Sequence, residues 1–143
     1  MKAWIKRHKK LFGFLVLVVF CLAAYGFDAA WATTYQIELV SMTPEMPYAD
    51  STQPVEIRLR LTHFGEPVEG HVLYALPQNG GTMKVNVIRT DADGMAVYTY
   101  YPYNETILMK AQPVNIYVHD ENNSIIFEVN ASLEFEIPLQ SKG

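Results

Sequence analysis

The side chains able to do chemistry in this chain are few and scattered. Beyond residue 32 stand three histidines, His63, His71 and His119, and five methionines, Met42, Met46, Met83, Met95 and Met109. Imidazoles and thioethers together make a donor set for copper in an oxidising compartment. Their spacing does not gather them. No H-x-H, H-x-x-H or M-x-x-M motif occurs, and the nearest pair is Met42 and Met46 in a Pro-containing loop. These two are the candidate copper ligands. The competing reading is core filling by methionine and exposed or hydrogen-bonded histidine. Asp91, Asp93 and Gly94 form D-x-D-G, as at the start of a calcium loop. Thr99 and Tyr101 follow, and no Glu falls where the bidentate ligand belongs. A turn using Asp and Gly for their local conformations accounts for the same residues.

Catalytic sets fare no better. None of Ser51, Ser124 and Ser132 sits in a G-x-S-x-G elbow. The single cysteine, Cys21, lies in an apolar run and reads as a small apolar residue. Glu128, Glu134 and Glu136 alternate with apolar residues, which reads as a wet strand face rather than a carboxylate pair. No Gly-rich loop leads into a helix that could cradle phosphate. The chain therefore reads as no enzyme and as having no cofactor, copper aside. Aromatic residues carry more signal. Tyr98, Tyr100, Tyr101 and Tyr103 crowd one short segment. A sheet cannot bury both faces of it, so Tyr101 and Tyr103 are expected at the surface. With Phe64, beside a strand, they are the candidate partner-binding residues. Aromatic cross-strand pairing is the competing reading.

The elements that position these residues begin with a membrane segment. Lys2, Lys6, Arg7, Lys9 and Lys10 precede an apolar run over residues 11–32. Its 22 residues span roughly 33 Å as a helix, enough for a hydrocarbon core of about 30 Å. The basic flank keeps residues 1–10 cytoplasmic and sends the rest across. Tyr25 and Trp31 fall at the outer interface, and Asp28 is expected to be solvated in the headgroup layer. Ala30-Trp31-Ala32 also resembles a signal-peptidase site, so a cleaved signal competes with a retained anchor. After residue 32, six Lys/Arg face fourteen Asp/Glu, a net charge of −8. That excludes a nucleic-acid binder and a domain lying flat on anionic lipid. With no exported cysteine, the domain is held by packing and sheet hydrogen bonds.

Period-two alternation dominates the exported part. Strands are predicted over residues 34–41, 54–62, 71–76, 83–90, 95–101, 114–119 and 125–137, the last being the longest. Residues 107–111 read as a short strand or an irregular crossing. Turns fall at 63–70, at 77–82 with its Asn-Gly hairpin signal, at 91–94 and at 120–124. The tail, residues 138–143, reads as polar and flexible. Seven strands without an amphipathic helix predict an all-β fold, a seven-stranded antiparallel sandwich over residues 33–137 behind one transmembrane helix. A closed barrel would be one strand short.

Gly65-Glu66-Pro67-Val68-Glu69-Gly70 resembles the G-x-P-V-x-G corner of bacterial immunoglobulin-like (Big-type) domains. The stretch from Thr90 to Tyr98, TDADGMAVY, resembles their T-D-x-x-G-x-A segment. The resemblance covers residues 35–137 and implies an immunoglobulin-like sandwich with no required disulfide. One copy behind one helix is also similar in architecture to YtkA-like membrane-anchored proteins, some of them linked to respiration or metal handling. The expected function is a non-catalytic extracytoplasmic accessory or assembly subunit in the cell membrane. Its expected partners are the lipid bilayer and an integral membrane protein complex, with a respiratory complex as one option. The alternatives are a copper or ligand carrier, and a secreted surface- or carbohydrate-binding module released after Ala32.

Overall fold

The computed structural model describes residues 1–123, 125–127 and 129–143. A short helix, α1 (Lys2–Arg7), breaks at His8 and is followed by α2 (Lys9–Ala32). Among the described residues α2 is the one helix long and apolar enough to cross a membrane. Its apolar side chains, Phe14, Leu17, Val19, Phe20 and Leu22 among them, are exposed all round. That is the pattern of a helix meant for lipid rather than for a protein core. At its C-terminus two hydroxyls take carbonyls that the helix leaves without partners. Thr33 Oγ1 donates to the Ala30 oxygen and Thr34 Oγ1 to the Trp31 oxygen, each at 2.7 Å.

The rest is two antiparallel sheets. The strands are β1 (Tyr35–Thr43), β2 (Val55–His63), β3 (Glu66–Pro67), β4 (Val72–Pro77), β5 (Thr82–Met83), β6 (Val87–Arg89), β7 (Met95–Tyr101), β8 (Val114–Asp120) and β9 (Ser132–Ile137). One sheet runs β1-β2-β7-β5, with β3 folded back on β2, and the other β6-β4-β8-β9. Seven of the strands are three residues or longer. The orders match the two sheets of an immunoglobulin sandwich. Alternation explains the central strands. Val55, Ile57, Leu59 and Leu61 of β2, Ala96, Tyr98 and Tyr100 of β7, and Val114, Ile116 and Val118 of β8 all turn inward and form one core. A fully buried residue of this size contributes about 1.5–3 kcal/mol. The Tyr98 hydroxyl finds a partner across the core, donating to the Leu73 carbonyl at 2.6 Å.

Four expectations need correction. The strand predicted over residues 83–90 divides: β5 pairs with β7 in one sheet, and β6 with β4 in the other. Met83 is buried while Val85 and Val87 are exposed, so they do not share a face. The turns at 77–82 and 91–94 consequently carry the chain from one sheet to the other and are not hairpins. Asp91 Oδ1 still accepts from the Asp93 and Met95 amides at 2.9 Å, and Gly94 takes φ +73°. The strand predicted over 125–137 is confined to β9; Ile125, Ile126 and Phe127 lie in the loop before it. Ser124 and Glu128 lie outside the described residues. Finally, the tail is docked. Leu139 is buried, Gln140 exchanges backbone hydrogen bonds with Pro47 and Ala49 at 2.8 Å, and Lys142 Nζ lies 2.6 Å from Asp50 Oδ2. Residues 107–111 form no strand, and Ile107 and Leu108 are almost fully exposed.

Candidate functional site

The end of the sandwich that receives α2 is built from residues distant in sequence. Asp28 is fully buried, against the expectation of a solvated headgroup position. A buried carboxylate requires hydrogen-bond donors, and here they come from a loop nearly a hundred residues away. Asp28 Oδ1 accepts from the Ile125 amide at 2.8 Å, and Oδ2 from Phe127 at 2.7 Å and Ile126 at 3.3 Å. Tyr25 meets the Phe127 ring edge-on at 6.1 Å. Trp31 packs edge-on against both Tyr35 and His63, whose rings stack at 4.0 Å. Tyr35 also stacks on His71, and His71 Nδ1 lies 2.7 Å from the buried Asp120 carboxylate. Burial, and then the charge of Asp120, push the Tyr35 phenol above its ordinary pKa. The helix thus ends inside a packed aromatic and histidine cluster.

Phe64 closes the same end. It and Gly65 form the two-residue turn between β2 and β3, with φ of +50° and +82°. This is the doubly left-handed arrangement that favours Asn-Gly. A phenylalanine there is unusual; its ring is 71% exposed and 4.4 Å from the His63 ring.

A different surface lies on the outer face of the four-stranded sheet. Leu73 and Ala75 of β4 point into the core, so Tyr74 and Leu76 point out. Cross-strand pairing sets Val87 beside Tyr74, Tyr74 beside His119, and Leu76 beside Tyr117. Tyr74 and Tyr117 both contact the His119 ring, at 5.3 and 5.7 Å. Leu76, Val87 and Tyr117 are each more than a third exposed. The outer face of the other sheet is mostly polar, with Glu38 opposite Arg60 and Arg58 paired to Glu56 at 2.8 Å.

The candidate partner residues are therefore not one site. Phe64 follows His63 at the helix end of β2, whereas Tyr101 lies just past the Val55–Tyr100 pair at the other end. Nine residues of strand, about 27 Å, separate the two ends. Tyr101 and Tyr103 are half-buried rather than fully exposed. The Tyr103 hydroxyl braces the loop after β7, donating to the Lys110 carbonyl at 2.9 Å and accepting from the Gln112 amide at 3.1 Å. Met42 packs on the core, while Met46 is exposed with its sulfur 3.7 Å from Gln140 Nε2. Among the described residues no group of three or more His, Cys, Asp or Glu side chains could hold a metal. Tyr25, Asp28 and Trp31, read as interface residues, all contact the domain. Cross-strand register, which no sequence window contains, joins Tyr74 and Tyr117 to Leu76, Val87 and His119.

No known protein family matches the sequence, and no curated protein does. Solved structures do resemble the fold. The D00–D0 domains of intimin superpose with a TM-score of 0.52 at 12% identity, covering 74% of this chain and 48% of that one. The chain thus spans about half the length of the intimin fragment. A C-terminal 282-residue fragment of intimin, solved in complex with the intimin-binding domain of the translocated intimin receptor, gives 0.50 at 14% identity, covering 69% and 31%. A conjugative transposon lipoprotein from Bacteroides eggerthii aligns over 73% of this chain and 96% of its own, at 19% identity and a TM-score of 0.48. The immunoglobulin-like reading holds: the chain is a two-sheet sandwich of that fold with an apolar helix in front.

Proposed function

We propose that this chain is a non-catalytic, single-pass membrane protein whose sandwich works outside the cytoplasm as an accessory subunit, docking on a larger integral membrane protein. The observation that carries this is the aromatic and aliphatic face of Val87, Tyr74, Leu76, Tyr117 and His119 on the four-stranded sheet. Contiguous exposed apolar surface rimmed by polar groups is the mark of a protein contact. Here the rim is Glu134 and Glu136 of β9, next to Tyr117 and Asn115. An intimin fragment with this fold was solved holding a protein partner, which fits a binding role.

Two further arguments support the anchor and its orientation. The basic residues before α2 favour a cytoplasmic N-terminus. Cleavage after Ala32 would remove Asp28 and Trp31, and with them the amide acceptor and the ring that the folded domain uses. A photo-crosslinking amino acid in place of Tyr117, in cells making the full chain, is expected to give one defined adduct with a membrane protein. The same group in place of Arg58, on the opposite sheet, is expected to give none. No adduct from position 117, or the same adduct from both, overturns the docking face. A mature chain whose mass begins at Thr33 overturns the anchor.

A further inference from the structure

Three consecutive large apolar residues, Ile125, Ile126 and Phe127, leave the sandwich between β8 and β9 and lie against α2. Their side chains are 54%, 55% and 42% exposed. Their backbone amides point the other way, into the Asp28 carboxylate. A loop built for water would need neither feature. Water would take the amides, and polar side chains would face out.

The depth of this contact explains both. Asp28 lies 17 residues beyond Leu11, about 25 Å along the helix, in a hydrocarbon core about 30 Å thick. With Lys10 at the inner boundary, Asp28 and the loop fall just inside the outer edge of the core. There an unpaired carboxylate is costly, and so is every unpaired backbone amide. Each satisfies the other, and what the pair presents outward is Ile, Ile and Phe.

We propose that residues 125–127 form a lipid-inserted wedge: the loop enters the outer leaflet beside α2, with Asp28 as the acceptor that lets its backbone do so. This rests on the reading of α2 as membrane-spanning. The occupant is lipid because the loop is fixed to the flank of the membrane helix itself, through Asp28 and the Tyr25–Phe127 contact. Headgroup charge cannot supply the attraction, since the exported part carries −8; apolar burial can. The wedge gives the domain a second foothold and stops it swinging about the single joint at residues 33–34.

The test uses the full chain with Cys21→Ser, reconstituted in phosphatidylcholine vesicles whose acyl chains carry nitroxide quenchers. An environment-sensitive fluorophore is placed on Ile126→Cys or, as reference, on Leu108→Cys, an equally apolar tip on the loop after β7, at the far end of the sandwich and 97% exposed. Lipid quenching is expected to be several-fold stronger at position 126 than at 108, and a fluorophore on Cys21 of the otherwise unaltered chain, exposed in mid-helix ten residues beyond Leu11, should be lipid-quenched too. If position 21 is quenched but position 126 is reached by aqueous iodide as readily as 108, the wedge is overturned and the anchor stands. If position 21 is not quenched, both readings fall. Asp28→Asn replaces one acceptor oxygen with a donor nitrogen. It is expected to lower lipid quenching at 126 while leaving it unchanged at 21; no change at 126 overturns the role given to Asp28.

Discussion

Tyr98→Phe is the sharpest test of how the two sheets are held together. The substitution keeps the ring, which is fully buried, and deletes one hydroxyl. That hydroxyl donates at 2.6 Å from β7 in one sheet to the Leu73 carbonyl of β4 in the other. Burial pushes its pKa well above the ordinary tyrosine value, so it is a donor at neutral pH. Without it a net hydrogen bond of about 0.5–1.5 kcal/mol is lost, and the partner left behind costs about 1–3 kcal/mol if it stays dry. A destabilisation of about 2 kcal/mol is expected. For a domain of this size that lowers Tm by about 8 °C. Tyr100→Phe is the matched reference. Its ring is equally buried, but its hydroxyl bond to the Gly80 carbonyl is 3.0 Å long and part-buried. It should cost under about 1 kcal/mol. Urea unfolding of the full chain in mild detergent, followed by the β-sheet circular dichroism signal, separates the two. A Tyr98→Phe protein within about 0.5 kcal/mol of the parent would refute the inter-sheet role, because no cavity is created to confuse the reading.

Three other outcomes are expected. Phe64→Asn removes a bulky residue from a left-handed conformation that costs about 1–2 kcal/mol, and its ring is mostly exposed. Stability should hold or rise; a fall of more than about 1 kcal/mol would show that the ring is kept for packing on His63 rather than for outside contact. Leu139→Ala should cost about 2–3 kcal/mol in the same unfolding assay, because the side chain is buried in the core cluster; a loose tail would give no change. Asp50 accepts from Lys142 and Thr52, which hold its carboxyl well below the usual carboxylate range. Since the folded value lies below the unfolded one of about 3.9, its contribution is fully present above about pH 4 and lost as pH falls towards the folded value. Asp50→Asn should lower Tm at pH 7 and flatten the decline of Tm between pH 4 and pH 2; an unchanged acid slope would remove Asp50 from the account.

What was legible in the sequence, and what was not, follows from the range of the interactions. In β2, β7 and β8 the alternating residues meet one core on one side and water on the other, so a window of seven residues contains the answer. Residues 83–90 also alternate, but the chain leaves one sheet and joins the other between Met83 and Val87. The crossing changes which parity is inward, and only pairing shows it. Ala75 and Asn86 record the new partner, with N to O 2.8 Å and Asn86 Nδ2 to the Ala75 carbonyl 2.9 Å. Residues 125–127 misled for a related reason: apolar alternation marks a side chain that avoids water, whether what replaces water is a core or a lipid leaflet. Asp28 was visible as an odd charge at the end of an apolar run, but its partners lie 97 to 99 residues away. A carboxylate that the sequence places at a membrane edge can be met by headgroups or by protein amides, and the windowed pattern is the same for both.

The two proposed surfaces constrain each other. If α2 and the loop at 125–127 both hold the sandwich at the outer leaflet, the sandwich cannot roll, and the face of Tyr74, Leu76 and Tyr117 keeps a fixed height. β4 begins at the membrane end, where Val72 pairs with Arg89 and Leu73 with Asp120. Leu76 lies four residues further along, about 13 Å at the rise of a strand. The docking face is therefore a band close to the membrane, within reach of the short extracytoplasmic loops of a multi-pass protein. It does not demand a large soluble partner. A partner in the same bilayer is already confined beside this band, and a modest area suffices because both proteins are held in the plane before they meet.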